Sequence, residues 1–223
     1  MNKTTSMALA ILLTWNTSGQ AEDQPITSAG YDFPTMDCGS LEVGYGPYDY
    51  TNPIHFREKL PIVQRAHFTS NVEQLIRGET ALGPMNDIAY TLNRFPNHHR
   101  ALYSMMRYNL ALEQRPAAGA RRSPECWFER AIRFKGDDGT VRMIFGIYLH
   151  QTDRPDAALI RYQEALALIP NSAEVHYNMG LAYFEMDRFD DAVEHALKAY
   201  ELGYPLPGLR NRLASVGKWP SGQ

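Results

Sequence analysis

Gly146 and Gly180 stand 34 residues apart, and so do Asp153 and Asp187, Arg154 and Arg188, Asp156 and Asp190, Ala158 and Ala192, and Ala165 and Ala199. A fixed period of about 34 residues that keeps small residues and a turn dipeptide in register constrains the chain to a stacked array of helix-turn-helix units. One such unit cannot bury its apolar face alone, so neighbouring units must share a core. Gly and Ala then sit where helix backbones approach closely, and larger residues fill the holes between them. The expectation is an all-α fold, a helical-hairpin solenoid of about three repeats plus a C-terminal capping helix. An irregular, extended N-terminal segment precedes it.

Start and stop signals divide the chain further. Ser70-Asn71-Val72-Glu73 reads as a capping box that opens a helix ending at Gly78. A second helix follows Pro84 and stops before Pro96. A helix begins at His99, a loop runs over residues 115–123, and a helix over residues 124–134 completes the unit. The next pair comprises residues 140–151 and 155–168, and the last comprises residues 174–186 and 189–202. Asp153 and Asp187 open the tight turns within these pairs. The stretch PLPGLRNRLASVGKW then forms one more helix that covers the exposed edge of the array. The units are a leader over 1–21, an extended segment over 22–68, a helical lead-in over 69–96, repeats over 97–138, 139–172 and 173–206, and a cap and tail over 207–223.

The first residues carry one cation, Lys3, no acid before Glu22, and a mostly apolar run from Met7 to Trp15. Gly19-Gln20-Ala21 supplies small residues, so the segment reads as a secretory signal cleaved after Ala21. The apolar run is too short to span a bilayer. The expectation is an exported protein, periplasmic or extracellular, without a membrane span after cleavage. In an oxidising compartment the two cysteines, Cys38 and Cys126, can pair with each other, remain separate thiols, or bridge two chains. Residues 22–59 are too rich in Gly and Pro for a long helix. They also carry Tyr31, Phe33, Tyr45, Tyr48 and Tyr50, whose rings call for burial. An extended segment lying on another surface satisfies both facts, and LEVGY (41–45) alternates as a short strand does. The net charge of −3 gives no electrostatic footprint for nucleic acid.

The chain resembles the tetratricopeptide repeat (TPR) family. The last repeat supplies Met179-Gly180, Tyr183, Ala192 and Ala199, and the preceding one Phe145-Gly146, Leu149, Ala158, Tyr162, Ala165 and Pro170. The resemblance is strong over 139–206, fair over 97–138 and weak over 69–96. Ala196 and Tyr204 depart from it, where the family has a large side chain and a Pro. The resemblance implies a concave face built from first helices, here Arg100, Tyr103, Arg107, Met143, Ile147, His150, Tyr177, Leu181 and Phe184. That face is basic at its start and apolar later, which suits an extended peptide segment bearing aromatics and some negative charge. Tyr45, Tyr48 and Tyr50 offer such a segment, to the chain's own groove or to that of a second copy.

No recognisable catalytic constellation accompanies the repeats: the sequence holds no Gly-rich phosphate loop, HExxH, CxxC or GxSxG. The expectation is a non-catalytic scaffold without cofactor or metal. His98 and His99 read as a solvated turn, and His150, His176 and His195 as scattered surface or groove groups. Glycan binding is the rival reading. It would use Trp127, Trp219 and the tyrosines, and requires those rings to be exposed beside Asp, Asn or Arg.

Overall fold

The structure, a computed structural model, describes residues 38–112 and 122–220. The expected leader (1–21), Tyr31, Phe33 and residues 115–121 of the loop lie outside the described residues. Asn52 accepts hydrogen bonds from the Ile54 and His55 amides, and Pro53 follows in the first turn, so α1 forms over Pro53–Glu58. Helix α2 (Leu60–His67) buries Leu60 and Val63 on one face. Helices α3 (Ser70–Glu73) and α4 (Pro84–Arg94) form the lead-in. Three hairpins follow: α5 (His99–Leu112) with α6 (Pro124–Phe134), α7 (Gly139–Gln151) with α8 (Pro155–Leu168), and α9 (Ala173–Glu185) with α10 (Phe189–Glu201). Ser123, Asp138 and Ser172 cap α6, α7 and α9 by accepting from a backbone amide three residues on. Helix α11 (Gly208–Ser215) buries Leu209 and Leu213 against the last hairpin.

The 34-residue period has a direct structural basis. Asp153 (φ 59°) and Asp187 (φ 57°) are both left-handed, a conformation that Asp tolerates better than most residues. The next amide then turns back, from Arg154 to the Leu149 carbonyl and from Arg188 to the Tyr183 carbonyl. The two hairpins thus share one turn. Gly146 lies under the fully buried Tyr162 ring so closely that a Cβ there would sit 2.4 Å from its Cε1. A Cβ at Gly180 would meet Leu209 Cδ2 of the capping helix at 2.5 Å. The core runs on between hairpins, with Phe128 of α6 stacked on Phe145 of α7 at 4.7 Å between centroids.

The structure corrects the expectations at the N-terminal end. Residues 53–67 are helical, not extended, because Asn52-Pro53 is a helix start and Leu60 and Val63 share a face. The capping box does not form. Thr69 occupies the cap position without a side-chain bond to the helix, its hydroxyl donating to Glu79 instead, Ser70 accepts from Gln74, and Glu73 pairs with Arg100. The helix expected as far as Gly78 stops at Glu73, with Leu75 turned to φ 62°. Gly78 instead permits close approach to Gly83, whose carbonyl carbon would lie 2.6 Å from an added Cβ. Residues 41–45 form no strand.

Residues 38–52 form a strap over their own chain. Cys38 is bonded to Cys126 on α6. The buried Arg130 guanidinium donates to the carbonyls of Cys38, Gly39 and Ser40 and to Asn93, and Arg133 donates to Gly39. Burial, with Arg122 and Arg133 nearby, pushes the Arg130 guanidinium down to about 10. Further along, the Tyr48 amide donates to the Arg94 carbonyl. Asn97 receives the Tyr50 amide and donates to Asp49 and Asp138, tying strap, α4–α5 turn and α7 cap together. Tyr45, Tyr48 and Tyr50 pack with Tyr90 around Leu60, Val63 and Phe95.

Candidate binding groove

The first helices α5, α7 and α9 lie side by side, and their open face carries two hollows. The first, about 520 Å³, is lined by Glu73, Gln74, His99, Arg100, Tyr103, Ser104, Arg107 and Ile144. The second, about 430 Å³, is lined by Ile147, His150, Gln151, Asp153, Asn178, Leu181 and Glu185. Six of the nine residues expected on this face line one hollow or the other. Helical spacing explains the sets: Arg100, Tyr103 and Arg107 recur every three or four residues along α5, and Leu181 and Glu185 do so along α9.

The other three do not line a hollow. Met143 and Tyr177 are buried, and Tyr177 is covered because it stacks on Tyr204 at 4.0 Å while its hydroxyl accepts the Leu209 amide. Phe184 is half-buried under the Arg212 guanidinium, 4.5 Å from its ring centroid. In all three cases the shielding group comes from a distant part of the chain or from the shared core, which period alone cannot show.

The hollows differ in charge. In the first, Glu73 forms a two-pronged pair with Arg100, which leaves Arg107 exposed and without an ion pair to the described residues. Tyr103 is 44% exposed beside it. His99 bonds Asp138 at the back. The second hollow holds Asp153 and Glu185. His150 Nε2 lies 2.7 Å from Glu185, and Arg212 of α11 donates to it at 3.1 Å. Burial works against the Glu185 charge, but the bonds from His150 and Arg212 outweigh it and hold the carboxyl below its usual range.

Two histidine readings change. His98 is not solvated: it is fully buried, stacked against Tyr50 at 4.3 Å, and burial pushes its imidazole down to about 3. The adjacent His99 meets the same Tyr50 ring edge-on at 5.0 Å while its Nε2 reaches Asp138. His176 and His195 are not scattered; they meet across the last hairpin, Nδ1 to Nδ1 at 3.0 Å. A 19-residue separation in a 34-residue hairpin was the available signal. Among the described residues, no group of three or more His, Cys, Asp or Glu side chains could hold a metal ion. No helix described is long and apolar enough to cross a membrane.

Stacked hairpins with equivalent turns, close glycine contacts and a face of first helices define a helical repeat protein. Residues 149–187 match the family model described as TPR repeat, and residues 173–203 match that described as Tetratricopeptide repeat. Residues 149–203 are thus tetratricopeptide repeats. It is similar to the Hsp70-Hsp90 organising protein of Plasmodium falciparum (isolate 3D7), 33% identical over 72 residues. That match spans 32% of this chain and only 12% of the relative's length. Similar solved structures include a thermophilic TPR protein of Thermus thermophilus, at 21% identity and TM-score 0.47, covering 59% of this chain and 70% of that one. Another is MamA MSR-1, at 19% identity and TM-score 0.41, covering 60% and 69%.

Proposed function

We propose that the chain is an exported, non-catalytic adaptor that binds an extended peptide segment across the two hollows. The observation that carries this reading is their pairing on one face: an exposed Arg107 with Tyr103 at one end, Asp153 and Glu185 at the other, and Ile144, Ile147 and Leu181 along the way. A complementary segment places an acidic residue against Arg107, apolar or aromatic residues along the isoleucines and Leu181, and a basic residue toward Asp153. Partner binding is also in keeping with the repeats themselves and with the organising role in the name of the Plasmodium relative. Export is supported by the apolar leader and by the Cys38–Cys126 bond, since disulfides persist in oxidising compartments. The rings of Tyr45, Tyr48 and Tyr50 are packed within the chain, so the reading does not include self-assembly through them.

Glycan binding is less well supported. Trp127 is 4% exposed beneath Arg122 and Arg130, and Trp219 is half-buried against Tyr200. Tyr103 alone does not make a stacking platform.

The test is a random peptide display against the oxidised chain, followed by calorimetry on the selected peptides. Arg107→Glu and Leu181→Glu should each weaken binding at least tenfold, about 1.4 kcal/mol. Selected peptides whose affinity is the same for wild type and both variants would refute the groove reading.

A further inference from the structure

His176 projects from α9 and His195 from α10, and neither lines a hollow of the groove. Their Nδ1 atoms are 3.0 Å apart with the rings tilted by 32°. Two ring nitrogens at that distance face each other with their lone-pair positions, so something must sit between them: a shared hydrogen, or a cation. Two nitrogens bound to one metal at about 2.0–2.1 Å lie about 2.9 Å apart at a right angle and about 3.3 Å apart at a tetrahedral angle. The observed separation falls between these values, so a metal enters with movements of a few tenths of an ångström.

The surroundings favour ligation. Tyr183 stacks on His195 at 5.4 Å and holds its plane. Asp191 and Glu194 of α10 lie near the pair, offset by Lys198 and by Arg188, which pairs with Asp191 at 2.8 Å. His176 is only half-buried, which leaves water to complete the coordination. It also stands four residues before Gly180, where the repeat pattern has an aromatic ring, so the slot already accepts a planar side chain.

We propose that His176 and His195 form a two-histidine site for a divalent transition metal, Cu(II) ahead of Ni(II) and Zn(II), which clamps α9 to α10. On binding, both Nδ1 lone pairs go to the metal and the hydrogen between the rings moves through solvent to Nε2. No net proton is released. The Irving–Williams order sets the preference among metals, and imidazole ligands exclude Mg(II) and Ca(II).

The untagged full chain is titrated with Cu(II), Zn(II) and Mg(II) at pH 7, with affinity followed by calorimetry and the copper complex by electron paramagnetic resonance. One Cu(II) should bind with hyperfine structure from two nitrogens and raise the melting temperature, Zn(II) should bind more weakly, and Mg(II) should not bind. His176→Phe and His195→Phe should each keep the helical circular dichroism and weaken copper binding at least tenfold. Undiminished binding in both variants, or no Cu(II) binding by the wild type, overturns the site. Should a variant fail to fold, the wild type decides alone: Zn(II) must shift the ¹⁵N resonances of the His176 and His195 Nδ1 atoms, and unmoved signals reject the proposal.

Discussion

Gly146→Ala isolates the contact that the 34-residue period encodes. The added methyl would lie 2.4 and 2.6 Å from Tyr162 Cε1 and Cδ1, against about 3.5 Å for ordinary carbon contacts. The Tyr162 ring or α8 must therefore retreat by about 1 Å, and a fully buried ring has little room to do so. Overpacking of this degree costs about 3 kcal/mol, at the upper end for inserted methyls. The better helix propensity of Ala returns about 1 kcal/mol, leaving a net loss of about 2 kcal/mol. For a domain of this size the melting temperature falls by about 4–8 °C. Urea unfolding followed by circular dichroism, with the disulfide intact, measures it. The partner is tested in the same series: in a Tyr162→Leu background the smaller, flexible side chain leaves room, and Gly146→Ala becomes neutral or stabilising by up to about 1 kcal/mol. A Gly146→Ala protein as stable as wild type, with Tyr162 in place, would refute the close-packing argument.

Two further outcomes follow from the strap and the buried histidines. Arg130→Met should destabilise the protein by about 1–3 kcal/mol, since it strands the Ser40 carbonyl and leaves the Cys38 and Gly39 carbonyls to Arg122 and Arg133 alone. Hydrogen exchange should speed up over residues 38–50, and unchanged protection there would contradict the strap's anchoring. On acidification, His98 stays neutral until about pH 3 and His195 until about pH 4, while both protonate near 6.5 when unfolded. Below pH 6.5 the unfolded state binds more protons, so stability falls with falling pH, by up to about 1.4 kcal/mol per unit for each histidine. A melting temperature flat between pH 7 and pH 5 would contradict this, and His98→Phe should weaken the dependence.

The hairpins were legible because their signals are local and repeated. Proline starts α8, Asp153 and Asp187 turn the chain, and Gly146 and Gly180 mark the close approaches. The expected ends of α7 to α10 agree with the observed ones to within one residue. The N-terminal end was less legible because it does not repeat. Ser70 and Glu73 have the residue types of a capping box, but tertiary demand redirects Glu73 to Arg100, and the motif lapses. Asn52-Pro53 is a helix start that the glycine- and proline-rich context obscures. The groove residues on α5 were placed by helical spacing, whereas the burial of Tyr177 depends on α11, whose docking no spacing reveals. His98 shows the same limit: nothing nearby in the chain announces that Tyr50 and Phe68 will enclose it.

The Cys38–Cys126 bond closes a ring of backbone 88 residues around. Helices α1 to α5 lie inside that ring, and α7 to α11 lie wholly beyond it. A pulling force applied at the two ends cannot lengthen the ring, so about 300 Å of contour, at about 3.4 Å per residue, stays hidden until the bond is cut. Under load the molecule is therefore asymmetric: the later hairpins can peel away and re-zip one at a time, like hinged links, while the front behaves as a sealed bead. A partner tethered to the C-terminal end would feel a compliant spring, and one tethered ahead of Cys38 a rigid post.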